Sequence, residues 1–372
     1  MKIAKVTAFF SPVEGGMETH LLEETKELVK LGHQVTVYTS DSLREGRIAQ
    51  RHATFNGVAV ERLPTWFNLA SFSPVFPSVY WKALTADYDI WHAHVYRQPH
   101  TLSLLFAKLR GKKTVLNIHW PEYPKSLRSF LMNISIPLFD WTLGPILLRL
   151  CDTLIVQTKT EEHWLRNKFG HLKNIIVLPP GIASSYLKKR NSAIFRKKHH
   201  IQGQMVLYVG RLHQSKGVHK LLAIAPDFPH VTFVFAGDGP ERAALQHQIK
   251  AQHLNNVRLL GRVSEEEKMQ AYASCDVFVH PTDYDAFGIT LLEAMAQEKP
   301  ILASRVGGIP SVLGTDGLTF AKDDLADLRK QLKRLLTNKN LQHTLGKRGR
   351  KKVEQFTWDK ITQRLEGIYR SL

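Results

Sequence analysis

Cysteine is scarce here: Cys151 and Cys275 are the only two in 372 residues, and they stand far apart. Neither has a neighbour at metal-ligand spacing, which excludes a Cys-rich zinc module and a disulfide framework. Both are expected as free, buried thiols of a reducing compartment. No uninterrupted apolar run reaches about 18 residues, so no segment is expected to span a membrane. Met1-Lys2-Ile3-Ala4-Lys5-Val6 opens directly into a strand pattern, with no sign of a secretory leader. No repeat of solenoid type is present. Acidic residues are also in short supply: 33 Asp and Glu stand against 51 Lys and Arg, a net charge of +18. That excess suits anionic lipid, nucleic acid or phosphate ligands without choosing among them. What remains is an apolar share of 43% in a chain long enough for two core-bearing domains.

The most informative stretch runs from Val277 to Ala296. Val277-Phe278-Val279 reads as a buried strand, Pro281 stops it, and the acidic loop Asp283-Tyr284-Asp285 follows. Ile289, Leu292, Met295 and Ala296 recur at helical spacing, so a helix starts near Gly288. The free N–H groups of its first turn make an anion site, and Gly288 lets a ligand approach the backbone. Glu293, just over one turn in, can accept two hydrogen bonds from a vicinal diol such as a ribose. Asp285 supplies a second carboxylate. A similar stretch lies earlier, where the strand Val206 to Val209 leads through Gly210 and Arg211 to Lys216 at a helix start. In an open parallel sheet both cations point into the crevice beyond the strand ends. Two cations converging on a diphosphate can do the work of a metal ion.

The first half opens with a strand, Ile3 to Phe10, a turn, Ser11 to Gly16, and a helix through Leu21, Leu22, Leu28 and Val29 that ends near Gly32. A strand from Val35 to Tyr38 completes a Rossmann-like βαβ opening, but the third glycine of a dinucleotide fingerprint is missing, so an NAD site is not expected. Asn56-Gly57 marks a hairpin. Strand alternation puts His92 and His94 on one face; a zinc pair is conceivable, yet no third ligand follows at characteristic spacing. The strand Thr114 to Ile118 ends at His119. Residues 125 to 150 mix Lys125, Arg128 and Arg149 with Phe130, Leu131, Met132, Ile134, Leu138 and Trp141. This reads as a pair of core helices broken near Pro137 and Gly144, with an interfacial segment as the alternative. Leu154 to Val156 is a strand, Thr160 is expected to cap a helix through Lys168, and Ile175 to Leu178 closes the sheet. The basic stretch 188–200 reads as an exposed connection, after which a second βα series begins at Met205.

With these motifs in this order, the chain resembles a retaining glycosyltransferase of family four, also called glycosyl transferases group 1. That family carries Glu, seven residues, Glu; here Asp285 and Glu293 stand at the same separation, and Arg211 and Lys216 match its cation spacing. The resemblance implies an α/β, GT-B fold: two Rossmann-like parallel-sheet domains facing a central cleft. Residues 1–185 would form the acceptor-side domain, 186–355 the nucleotide-sugar domain, and 356–372 a helix returning to the first. It implies transfer of a hexose from a UDP- or GDP-sugar to a hydroxyl of a glycan or lipid-linked acceptor, with retained configuration and no metal or other cofactor. Arg211 and Lys216 would stabilise the leaving diphosphate, with Phe287, Gly288 and Ile289 beside it. Asp285 would bind the donor-sugar hydroxyls, and His119 would contact that sugar from the other domain. Glu293 would hold the ribose, Arg262 and Val263 the nucleobase, and the Gly15-Gly16 turn would lie near the donor phosphates and the acceptor. Asp285 is one methylene shorter than the family's usual Glu. The expected setting is cytoplasmic, with an anionic membrane surface as a further partner at its inner face and no nucleic acid. Two alternatives are a metal-dependent transferase using Asp283-x-Asp285, and a non-catalytic basic protein that binds RNA or anionic lipid.

Overall fold

The computed structural model describes residues 1–13, 15–43, 46–69, 73–119 and 128–372. Two units emerge, one of Met1–Gly181 with Trp358–Leu372 and one of Ile182–Thr357. These breaks fall close to residues 185 and 355, where the family resemblance sets them.

Unit 1 contains, in chain order, β1 (Lys2–Val6), α1 (Gly16–Lys30), β2 (Gln34–Ser40), β3 (His52–Phe55), β4 (Val58–Leu63), β5 (Phe67–Asn68), β6 (Pro74–Val75), α2 (Ser78–Thr85), β7 (Ile90–His94), α3 (Ser103–Leu109), β8 (Lys113–Asn117), α4 (Phe130–Trp141), α5 (Leu143–Leu150), β9 (Thr153–Val156), α6 (Lys159–Phe169) and β10 (Ile175–Val177). Eight of these strands form one sheet in the order β10-β9-β8-β7-β1-β2-β4-β3, parallel except for β3. The exception follows from the hairpin: Asn56 and Gly57 both take positive φ, 50° and 82°, as a tight two-residue turn requires. The first strand is shorter than its apolar run and ends at Val6, though Thr7 to Phe10 stay buried behind it. Central strands of a parallel sheet are covered on both faces, so β7 is buried throughout, histidines included.

Two sequence expectations fail in this unit. The cap of α6 is Thr158, whose Oγ1 accepts from the Glu161 N–H at 3.1 Å, and Thr160 lies inside the helix. Thr158-Lys159-Thr160 offers two capping residues, and the extended backbone at Thr158 selects the first. Of the expected core pair only α5 packs inward, burying Leu147 and Leu148 in the apolar cluster, while α4 buries no apolar residue. The two break at Thr142, Pro137 is carried inside α4, and the only buried residue of α4 is Asp140. Phe130, Leu131, Ile134, Leu138 and Trp141 face outward. Apolar composition argues for burial but does not say which side of a helix meets the core. Lys125 of that segment, and Glu14 of the glycine turn, lie outside the described residues.

Unit 2 contains α7 (Ser192–Lys198), β11 (Gln204–Val209), α8 (Val218–Ile224), β12 (Val231–Ala236), α9 (Arg242–Ala251), β13 (Val257–Gly261), α10 (Glu265–Ser274), β14 (Val277–His280), α11 (Ile289–Ala296), β15 (Ile301–Ser304), α12 (Ile309–Leu313), β16 (Leu318–Phe320), α13 (Leu325–Thr337) and α14 (Lys339–Val353). Its sheet is parallel throughout, in the order β13-β12-β11-β14-β15-β16. One apolar cluster lies on each face, one including Met205, Phe278 and Met295, the other Phe233, Val279 and Leu332. The basic stretch 188–200 is more than an exposed connection, because Phe195 of α7 is fully buried in the first cluster. The chain then returns to unit 1 as α15 (Trp358–Arg370), which packs on α1.

Each strand order reverses once beside its first strand, between β1 and β7 in unit 1 and between β11 and β14 in unit 2. Ligands of open α/β sheets bind beyond the strand C-termini at such points. Among the described residues no single helix is long and apolar enough to cross a membrane; α4 and α5 meet that measure only as a pair bent by 49°.

Candidate active site

In unit 2 the reversal brings the ends of β11 and β14 side by side. Arg211 lies just past β11, exposed, and its guanidinium has no partner among the described residues. Lys216, in the turn before α8, donates to Asp285 Oδ2 at 2.9 Å. His280, the last residue of β14, places Nε2 3.1 Å from the same oxygen. The Phe287 N–H donates to Asp285 Oδ1 at 3.3 Å. Burial pushes the Asp285 carboxyl up, but the Lys216 charge and the His280 ring outweigh it and hold the group well below the usual carboxylate range. The loop that carries Asp285 lies tightly on the next one. Gly307 has φ 52°, and a Cβ there would come within 2.0 Å of the Asp285 carbonyl oxygen. Gly308 N–H donates to that carbonyl at 3.2 Å.

Gly288 turns the chain into α11 with φ 80°, a left-handed conformation that disfavours other residues. Phe287 is buried in the core, and Ile289 packs against it, so both offer a ligand mainly their backbone. Glu293 follows one turn later. Tyr272 donates to its Oε2 at 2.7 Å and Lys268 to its Oε1 at 3.2 Å. A carboxylate has about four acceptor positions, so two contacts leave room for a diol. Val263 packs on the same core, while Arg262 follows β13 with an exposed side chain. The sequence reading missed His280, Tyr272 and Lys268. The first was legible as a polar residue ending an apolar strand; the other two lie on α10 and carry no local signature.

The pair Asp283 and Asp285 does not suit a divalent ion. Asp283 is gripped by Lys220, itself 4% exposed and also 2.7 Å from Asp323. Asp285 faces Lys216. Each carboxylate of the Asp-x-Asp pattern thus already has its own ammonium.

In unit 1 the glycine turn follows β1, at the reversal, and His119 follows β8, one strand beyond β7. Gly15 caps α1 with an extended backbone, φ −178°, and a Cβ at Gly16 would meet open space. Among the described residues nothing demands glycine at position 16. His119 has φ 54°, uncommon for a non-glycine residue. Its ring is engaged at both nitrogens, Nδ1 3.0 Å from the Gln157 amide and Nε2 3.1 Å from His94 Nδ1. Since the Gln157 amide nitrogen donates, His119 Nδ1 accepts and Nε2 carries the proton toward His94. Burial pushes His119 down to about 3, so the ring is neutral at physiological pH.

Behind it lies a network that the sequence reading did not anticipate. His94 stacks on His92, with ring centroids 4.3 Å apart. Lys5 Nζ lies 2.7 Å from His92 Nδ1, and the Tyr369 hydroxyl of α15 lies 2.6 Å from the same nitrogen. Lys5 also donates to Glu24, and His20 lies 3.4 Å from that carboxylate. Glu24, His92 and His94 could bring three ligand atoms within 4.8 Å of one another, supplying the third group that spacing did not reveal. They do not suit a metal as arranged, because the Lys5 ammonium already occupies the space between Glu24 and His92. Cys151 and Cys275 are free and buried, as expected.

Comparison with known proteins accounts for both units. The family model described as Glycosyltransferase Family 4 matches residues 14–186, and that described as Glycosyl transferases group 1 matches residues 191–352. The chain is 26% identical to the phosphatidylinositol N-acetylglucosaminyltransferase gpi3 subunit of Schizosaccharomyces pombe, over 99% of this chain and 80% of that protein. Its counterpart in Saccharomyces cerevisiae is 28% identical over 100% and 83%. Among solved structures, Anabaena HepE in complex with UDP and glucose superposes with a TM-score of 0.78 at 20% identity, covering both chains in full. That likeness is one of fold: GT-B, with Rossmann-like domains.

Proposed function

The chain belongs to the glycosyltransferases of family four, and from that we propose that it moves a hexose-type sugar from a UDP- or GDP-sugar to the hydroxyl of a glycan or lipid-linked acceptor, with retained configuration and without a metal ion. It is a transferase enzyme by its kinship; the finer reading rests on one observation above all. At the strand-order reversal of unit 2, Lys216 is paired with Asp285, Arg211 just past β11 has no partner among the described residues, and the N-terminus of α11 follows. Breaking the sugar–phosphate bond puts negative charge on the departing diphosphate. Preplaced cations and N–H groups stabilise that charge where it develops. A bound diphosphate would draw on Arg211 directly and on Lys216 from its Asp285 contact, leaving Asp285 to accept from sugar hydroxyls. Glu293, oriented by Tyr272 and Lys268, would take the ribose diol. His119 and the Gly15-Gly16 turn would act from unit 1, His119 by its placement, since both ring nitrogens already have partners in this structure. The lysine held at each carboxylate of Asp283-x-Asp285 supports metal independence. The phosphatidylinositol in the relatives' names favours a lipid-linked acceptor, and its use at the cytoplasmic face of a membrane is part of this proposal.

The test is release of nucleotide and transfer of label from a panel of UDP- and GDP-sugars, with EDTA present. One donor should be consumed in EDTA, and the product anomer read by NMR should match the donor's. An absolute requirement for Mn²⁺ or Mg²⁺, or an inverted product, would overturn the corresponding part of the reading.

A further inference from the structure

Helix α4 is built inside out. Its sequence, Phe130-Leu131-Met132-Asn133-Ile134-Ser135-Ile136-Pro137-Leu138-Phe139-Asp140-Trp141, contains one ionisable residue, and that residue is the buried one. Asp140 Oδ1 receives Arg97 Nε at 2.7 Å and the Tyr96 hydroxyl at 3.3 Å, and Lys168 closes on the other oxygen. Phe139 packs inward beside Asp140, but other apolar side chains point the opposite way: Phe130 is 77% exposed, Leu131 68% and Trp141 83%. A water-facing helix has the reverse arrangement, with charge outward and the apolar stripe on the core. Here an ion cluster fastens the helix by its polar residue and holds the apolar face away from the body. Ile146 and Leu150 extend that face along α5.

We propose that α4 and α5 form a bilayer-insertion element, whose apolar face enters the boundary between headgroups and acyl chains of an anionic membrane. Three observations select lipid over a protein partner. The exposed face of α4 carries no charge and only Asn133 and Ser135 as polar side chains, whereas a protein interface is about as polar as ordinary surface. Trp141 ends α4, and Arg128 and Arg149 flank the apolar stretch, the aromatic and basic residues that favour headgroup depth. The whole chain carries +18, complementary to an anionic surface. The bend of 49° between the helices suits an element that lies in one leaflet. The inference does not depend on the transferase reading, since membrane binding is measured without turnover.

The test is flotation of the full chain with phosphatidylcholine vesicles, with and without phosphatidylglycerol, alongside tryptophan quenching by brominated acyl chains. The comparison protein is the triple variant Leu131→Gln, Ile134→Gln, Leu138→Gln, its fold checked by circular dichroism and urea midpoint. The wild type should float with anionic vesicles, retain part of its binding in high salt, and be quenched. The folded variant should bind at least tenfold more weakly and lose the quenching. Equal flotation of wild type and variant, all released by salt, would mean that charge alone acts and would overturn insertion. So would a wild type that stays in solution with anionic vesicles, or one that sediments as a dimer which the variant dissolves. If the triple variant does not fold, Trp141→Gln alone replaces it, with the same two outcomes read from flotation.

Discussion

Units 1 and 2 share a plan, a parallel sheet with helices on both faces and one reversal of strand order, yet they distribute polarity in opposite ways. Unit 2 keeps its core apolar and gathers ionisable groups at the strand ends, where Lys216 and His280 meet Asp285 and Arg211 follows β11. Unit 1 carries Lys5, Glu24, His92 and His94 through the centre of its sheet and turns apolar residues outward. Among the described residues every exposed large apolar side chain lies in unit 1 except Ile194. The same fold can therefore hold its charge at the rim or at the centre. The rim arrangement leaves cations ready for a ligand. The central one fixes the geometry of His119 and of the C-terminal helix, and it costs desolvation that the pairing must offset.

The largest effect that separates the two units should come from pH. His92 and His94 are buried and held well below the usual histidine range, chiefly by burial, and burial pushes His100 down to about 4. Unfolding lets each take up a proton below about pH 6.5, while the folded state does not until far lower, so stability falls as pH falls through that window. For His100 the cost at pH 5 relative to pH 7 should be about 2 kcal/mol, and His92 and His94 add to it in the same direction. Hydrogen exchange resolved by segment, run in urea at both values, should show β1, β7 and β8 losing protection far more than β11 and β14. Equal losses in the two sheets would break the comparison.

Next in size is Lys5→Met, which strands Glu24 inside unit 1. We expect a loss of about 3–5 kcal/mol, largely recovered when Glu24→Leu is added. Thermal and urea unfolding of the single and double variants check this; a double variant as unstable as the single would show that packing rather than pairing is at stake.

Lys216→Ala probes the rim. Its removal should cut turnover by about 100- to 1000-fold, some 3–4 kcal/mol of transition-state stabilisation, with a smaller loss of stability than Lys5→Met because Asp285 keeps His280 and the Phe287 N–H as partners. A variant that loses stability and keeps turnover would reverse the roles assigned to the two units. The smallest effect is that of Tyr369→Phe. Removing the hydroxyl that donates to His92 should cost about 1 kcal/mol, read as faster exchange in α15 with no change in unit 2.

Much of the rim was legible in the sequence. Strand ends followed by glycine, cation and acid leave their pattern in the order of residues, which is why Arg211, Lys216, Asp285 and Gly288 stand at the reversal of unit 2. The centre of unit 1 was not. Lys5 sits in a strand that could equally have shown it to solvent, and Glu24 reads as one more polar residue of an amphipathic helix. Only the third dimension brings them to His92. The direction of α4 was illegible for a related reason: its single charge, Asp140, could have faced either way, and its partners Arg97 and Lys168 come from distant parts of the chain. The two nitrogens of His119 are likewise engaged by residues from different strands.

The return of α15 has a consequence for how the protein is made. Unit 2 is one continuous segment, 182–357, inserted between the two parts of unit 1. On the ribosome it can fold as soon as it emerges. Unit 1 is completed later, because α15, which packs on α1 and brings Tyr369 to His92, follows all of unit 2. At synthesis rates of about 5–20 residues per second, that delay is roughly 10–35 s. Throughout it the first part of unit 1 waits without the helix that covers α1, and the segment made later is finished first.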